Sequence, residues 1–229
     1  MSQVFITGAN RGIGLALTKL YLQDGWDVVA CCRTPAQADE LLYLISDNPG
    51  LEVYQLDVTD HAAITALAAE LNDRSFDLLI NNAGNYGPQN VTVGHINAEE
   101  WRKVLEINTI APIKVAEAFM PHLKRAQGSV INLTSKMGSM ADNQSGGAYL
   151  YRSSKAALNA ATKSLAIDLA VYDMKAIVVH PGWVRTEMGG PHGLIDTVQS
   201  ATGIKTLVDG LTMKQSGGFY DYQGNIIPW

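Results

Sequence analysis

The sequence predicts an α/β fold, a doubly wound parallel β-sheet in a single domain over residues 1–229. Three observations lead there. Short β-rich runs alternate with helical stretches along the chain. The strand runs are nearly continuous in apolar residues, as strands covered on both faces require. No repeat, low-complexity linker or composition break divides the chain, and 47% apolar with 17% charged residues suits one folded core.

In order, the expected strands are VFIT (4–7), WDVVACC (26–32), LEVYQL (51–56), FDLLI (76–80), SVINL (129–133), KAIVVH (175–180) and GGFYDY (217–222). Helical stretches fall at 12–23, 36–46, 60–72, 98–125 and 150–171, with a shorter region near 194–211. The formal charge of −5 comes without a Lys/Arg cluster, so nothing attracts a nucleic-acid backbone or an anionic membrane. No apolar run is long enough to span a bilayer, and the N-terminal residues read directly as a strand rather than a signal segment. Adjacent cysteines rarely bridge each other, so Cys31 and Cys32 read as buried strand residues of a cytoplasmic chain. The histidines, His61, His95, His122, His180 and His192, have no metal-ligand spacing, and no metal is expected.

The first strand runs into TGANRGIG (7–14), with Gly8, Gly12 and Gly14 spaced G-x-x-x-G-x-G before a helix. Glycines there allow a tight bend and close backbone approach, and the helix N-terminus offers N–H groups to a pyrophosphate. NAD binders usually end their second strand with an acid for the ribose 2′-OH. Here the strand ends in Cys31, Cys32 and Arg33. Arg33, together with Arg11 in the turn, is instead placed to hold a 2′-phosphate, which selects NADP(H) over NAD(H). Asp57 is placed either to accept from the adenine amino group or to cap the helix starting near Asp60.

YRSSK (151–155) puts Tyr151 and Lys155 four residues apart, on one face of a helix. Alone, the pair reads more readily as two surface side chains than as a catalytic pair. A phenol has a pKa of about 10, and an ammonium ~5 Å away at an effective dielectric of ~20 lowers it by roughly two units. That would bring Tyr151 toward neutrality as a proton donor. Pro112, in the helical run after Asn108, offers no N–H to the Asn108 carbonyl four residues back, leaving that oxygen available to a water.

With TGANRGIG, INNAG (80–84), INLTS (131–135), YRSSK and HPGWVRT (180–186) in this order, the chain resembles the short-chain dehydrogenases/reductases, over nearly its whole length. PGWVRTEMGGP (181–191) and GGFYDYQGNIIPW (217–229) are similar to the C-factor/sniffer-like carbonyl-reductase branch. The resemblance implies a Rossmann fold and a catalytic set of Asn108, Ser135, Tyr151 and Lys155. Tyr151 donates a proton to a carbonyl oxygen, Ser135 holds that oxygen, and Lys155 also bonds the nicotinamide ribose. Thr134, beside Ser135, stays open as a partial substitute. The implied cofactor contacts are Gly8, Asn10, Arg11, Gly12, Ile13, Gly14, Arg33, Asp57, Val58, Asn82, Ala83, Gly84, Tyr151, Lys155, Pro181, Gly182, Val184 and Thr186, with Asn81 beside them.

The expected activity is NADPH-dependent reduction of a small aldehyde or ketone. The alternative is an NAD(P)-binding signalling or regulatory protein of C-factor type. The sixteen-residue separation of Ser135 and Tyr151 exceeds that of most relatives, so Met137 or Met140 is expected to shape the pocket. The substrate region near 183–211 is short, with Trp183 and Met188 as candidate walls, Trp183 reading as easily as core. The Ala-rich run 155–170 carries small residues that allow close helix approach, and the resemblance implies that it and the Asn108 helix build a subunit interface, in a homodimer or homotetramer.

Overall fold

Alternation of side chains at period two divides the burial of a sheet between its faces. In the computed structural model, which describes residues 1–229, seven strands form one all-parallel sheet. They are β1 (Gln3–Thr7), β2 (Asp27–Cys32), β3 (Leu51–Gln55), β4 (Leu78–Asn81), β5 (Ser129–Leu133), β6 (Lys175–His180) and β7 (Phe219–Asp221). Their spatial order is β3-β2-β1-β4-β5-β6-β7. Val4 and Ile6 of β1 join one core with Leu17, Tyr21, Ile204 and Leu207. Phe5, between them, joins the other, its ring 5.6 Å from Phe76 and 4.3 Å from Phe119. The same alternation sends Cys31 and Cys32 into opposite cores, which is why neighbouring thiols stay unpaired.

The helices are α1 (Gly12–Gln23), α2 (Asp39–Ile45), α3 (His61–Glu70), α4 (Ala98–Leu105), α5 (Ala111–Ala118), α6 (Met120–Ala126), α7 (Tyr149–Ala170) and α8 (Thr197–Asp209). None is long and apolar enough to cross a membrane. The stretch expected as one helix over 98–125 is broken twice, each time beside a proline. Between α4 and α5, residues Glu106–Ile110 form a π turn, and the Ala111 N–H reaches back five residues to the Glu106 carbonyl. Pro112 explains it: without its N–H the ladder cannot close at four residues there. Pro121 lies in the first turn of α6, where a missing N–H costs little. The expected helix over 36–46 begins instead with a 3₁₀ turn, Pro35–Gln37.

Chain order reverses at β1, which pairs with β2 on one side and β4 on the other. The turns after β1 and β4 therefore open into a shared crevice, the place where doubly wound sheets take ligands. Gly14 sits under it, fully packed. A Cβ at Gly14 would collide with the Gly8 carbonyl oxygen and lie 2.5 Å from Asn82 Nδ2. Overpacking of this kind costs about 1–3 kcal/mol. Gly14→Ala is expected to lower the thermal midpoint by several degrees in a melt followed by circular dichroism; an unchanged midpoint would show a looser turn.

Candidate active site

The glycine turn is held by its neighbour across the sheet. Thr7 Oγ1 accepts from the Asn82 and Ala83 N–H groups, each at 3.1 Å. Asn82 Nδ2 donates to the Thr7 and Gly8 carbonyls at 3.0 and 2.8 Å. Asn82 and Ala83 thus brace the turn. Gly8 and Gly12 have φ of +64° and +57°, in the left-handed region that favours glycine. A Cβ at Gly8 would sit 3.0 Å from the Ala83 backbone. Arg11 is the N-cap of α1 without a side-chain cap bond, so first-turn N–H groups are left for a ligand. The turn fits a dinucleotide pyrophosphate on these grounds. Asn10 is half-buried in the turn, and Ile13 packs its side chain against the core.

Asp60, not Asp57, caps α3, accepting from the Ala63 N–H at 2.9 Å. Asp57 Oδ1 accepts from the Thr59 N–H and hydroxyl at 2.9 and 2.8 Å. The Thr59 N–H holds its carboxyl below the usual range, with help from the hydroxyl and the Arg33 charge. Val58 packs against the second core. Arg33 is exposed beside Asp57 and has no ion pair. Arg11, by contrast, pairs with Glu187 across the crevice.

Ser135, Tyr151 and Lys155 meet where β5 faces the first turns of α7, all three buried. Lys155 Nζ donates to the Leu133 carbonyl at 2.7 Å and lies 5.9 Å from the centroid of the Tyr151 ring. Burial pushes the Tyr151 phenol up to about 12; the neighbouring Ser135 hydroxyl opposes this and the Tyr86 phenol adds to it. The expectation that Lys155 draws Tyr151 toward neutrality is therefore corrected for the protein alone. Lys155 is itself buried without a carboxylate, and desolvation pushes its ammonium down to about 7. A half-neutral amine held by a carbonyl tunes a phenol weakly. Thr134 is ruled out as a substitute for Ser135, since its hydroxyl donates to Asn159 Oδ1 at 2.7 Å.

Asn108 lies in the π turn, fully buried. Its Nδ2 donates to the Asn85 carbonyl at 2.7 Å and to Ser154 Oγ at 3.0 Å, and its Oδ1 accepts from the Asn85 N–H at 2.8 Å. The side chain is wholly committed, which leaves the backbone carbonyl as the group Asn108 has to offer. A Cβ at Gly84 would lie 3.4 Å from Asn108 Oδ1 and 3.8 Å from Lys155 Nζ, so the three residues are neighbours. Asn81 is structural: its Nδ2 donates to Asn132 Oδ1 at 2.8 Å and to the Pro112 carbonyl at 3.0 Å.

After β6 the chain returns to the glycine turn. A Cβ at Gly12 would meet Thr186 Cγ2 at 3.4 Å. Pro181 offers its carbonyl to Ser200 Oγ at 2.6 Å, Gly182 has φ of +88°, and Val184 is buried in a bridge with Ile195. Trp183 is exposed and borders a cleft of about 420 Å³, which makes it a wall and not core. Met188 is exposed but does not line that cleft. Lys136 and Asp142 border it from the loop after Ser135; the expected Met137 and Met140 do not.

Sequence reasoning missed Tyr86, whose ring stacks on Tyr151 with centroids 4.7 Å apart. Its one signal is position, two residues beyond INNAG. Glu187 and the Leu133 carbonyl were also missed.

Sheet order and glycine turn define a Rossmann-like α/β domain. Within that class the chain belongs to the short-chain dehydrogenase family, whose profile matches residues 2–193. Among solved structures, the carbonyl reductase Sniffer of D. melanogaster superposes with a TM-score of 0.96 at 35% identity, over 100% of both chains. An NADPH-bound carbonyl reductase from chicken fatty liver gives 0.94 at 35% identity, over 100% of this chain and 99% of its own. The C-signal of Myxococcus xanthus is 41% identical over 165 residues, 72% of this chain and 99% of its own.

Lys155 has its folded-state pKa below its unfolded value, so the unfolded chain binds more protons between about pH 7 and 10.5 and stability from this group rises with pH across that window. Tyr151, raised to about 12, acts oppositely above pH 10. Lys155→Met is therefore expected to gain stability relative to the parent near pH 6, and to lose that advantage as pH rises toward 10, in urea unfolding at several pH values. A difference independent of pH would overturn the assignment.

Proposed function

We propose that this protein is an NADPH-dependent reductase of small aldehydes or ketones. The observation that carries the reading is that the Ser135 hydroxyl and the Tyr151 phenol are buried as neighbours beside Lys155, just beyond the end of β5. A nicotinamide dinucleotide, when bound, supplies hydride to the carbonyl carbon. The phenol of Tyr151, protonated at neutral pH, donates its proton to the carbonyl oxygen as negative charge develops there, and Ser135 donates a second hydrogen bond. Lys155, poised near pH 7, is suited to return the proton to the tyrosine. The Asn108 carbonyl, denied its i+4 donor by Pro112, is a neighbouring acceptor for a water in the relay from Lys155. Lys155 and the N–H groups of the glycine turn would hold the dinucleotide, with Pro181, Gly182 and Thr186 along its nicotinamide end.

NADPH is favoured over NADH because no carboxylate ends β2, while Arg33 stands there exposed and unpaired. The NADPH-bound chicken relative supports the same choice. Residues 183–211 form the short substrate region. A second reading, a dinucleotide-binding signalling protein, is supported by the identity to the C-signal of M. xanthus.

Consumption of NADPH and NADH, measured over aldehydes, quinones, diketones and cyclic ketones, tests this. Tyr151→Phe is expected to lower kcat/KM by about 10²–10⁴-fold. Turnover surviving that change would sink the assignment of Tyr151, and binding of NADPH without turnover on any carbonyl would favour the signalling reading. Arg33→Ala is expected to raise KM for NADPH about tenfold, the scale of one charge-assisted contact, with KM for NADH unchanged; equal effects on both would remove the arginine from the selection of NADPH.

A further inference from the structure

The cleft of about 420 Å³ lies over the C-terminal ends of β6 and β7, a volume suited to a small molecule. It adjoins the candidate catalytic centre through the chain itself. Lys136 on its wall follows Ser135, and Gly182 and Trp183 belong to the loop that carries Thr186 to the glycine turn.

The mouth is apolar. Leu194 is 76% exposed, Ile226 79% and Trp183 51%, with Ile195 and Ile227 buried behind them. The one cation of the wall is paired, and the wall's second carboxylate is hydrogen-bonded within its own turn. Lys136 Nζ pairs with Asp142 at 3.1 Å. Asp221 Oδ1 accepts from the Gln223 and Asn225 N–H groups, each at 2.9 Å, and its Oδ2 accepts from Asn225 Nδ2 at 2.9 Å. An anionic ligand would therefore find no unpaired cation here.

His180 is the exception among the polar groups. It ends β6 and lines the cleft, and its Nδ1 is buried without a hydrogen-bond partner. A buried polar atom left without a partner is costly, so a ligand that satisfies it gains affinity. Desolvation pushes its pKa down to about 4, against the pull of Asp221, so near neutral pH the ring is uncharged and offers one donor and one acceptor.

We propose that this cleft holds the distal part of the carbonyl substrate, that the substrate class is an apolar carbonyl compound bearing a second, neutral oxygen, and that His180 recognises that oxygen. The proposal rests on the reductase reading and deepens it. The apolar mouth takes the hydrocarbon body. The neutral imidazole selects a hydroxyl or second carbonyl over a carboxylate or phosphate.

The test uses ortho-, meta- and para-hydroxymethyl acetophenone, each beside the ethyl acetophenone of the same shape. Binding to the NADP-loaded protein is measured by calorimetry and NADPH-dependent kcat/KM by absorbance, for wild type, His180→Phe and His180→Gln. At least one hydroxymethyl compound is expected to exceed its ethyl partner by several-fold to about tenfold, the scale of one hydrogen bond. That ratio should fall to about one in His180→Phe and be largely restored in His180→Gln, which keeps a neutral donor and acceptor. If His180→Phe fails to fold, replacing Leu194 at the mouth by Asp is expected to weaken both members of the pair together. No preference in wild type, or a preference that survives in His180→Phe, would overturn the proposal. Preferential binding with no turnover would uphold the cleft assignment and sink the reductase reading. Turnover of both members with equal efficiency would do the reverse.

Discussion

One hydrogen bond organises this site: Lys155 Nζ to the Leu133 carbonyl, 2.7 Å, with both groups out of water. A buried ammonium is unfavourable unless something accepts its protons, and no carboxylate stands near. The last carbonyl of β5 takes that role. It ties the first turns of α7 to the strand that leads into Ser135, so the two hydroxyls and the amine share one rigid frame. The close approach it sets leaves no room for a side chain at Gly138, where a Cβ would lie 2.9 Å from the Lys155 backbone.

Two polar networks keep that frame in register with the dinucleotide crevice. Asn81, Asn132 and Thr162 form a buried chain from β4 through β5 to α7, with both links at 2.8 Å. Thr7 and Asn82 bind the glycine turn to the turn after β4. Each group in these networks is satisfied by another strand or helix, which makes them specify one alignment and not merely a compact state. The loop after Ser135 is held separately. Ser139 Oγ donates to the Pro228 carbonyl at 2.5 Å, and the Ala141 N–H donates to the Trp229 carbonyl at 3.0 Å. The residues that follow β7 thereby border the same cleft as Lys136 and Asp142.

Much of the fold was legible because it depends on short-range pattern. Apolar runs marked every strand to within two residues, and the motifs that resemble the family fell at strand ends, where a doubly wound sheet exposes its loops, except YRSSK, which lies in the first turns of α7. The break in the 98–125 stretch was legible in part, since Pro112 removes a named donor, yet the wider turn that absorbs it depends on packing against α7. Tyr86 was not legible. It sits in a loop without period, and its stacking on Tyr151 exists only once β4 and α7 are brought together. Asp57 and Asp60 show the same limit: either could cap α3 by spacing, and local geometry chose Asp60.

The sequence by itself determined the order of elements, the parallel sheet, the glycine turn and the spacing of the candidate reactive side chains, because each is encoded within a few residues. Tertiary structure alone decided how those side chains titrate and what surrounds them. Tyr151 and Lys155 are four residues apart on any helix, but desolvation moves one up and the other down only after β5 and α7 close around them. Burial is a property of residues distant in the chain, and no spacing records it.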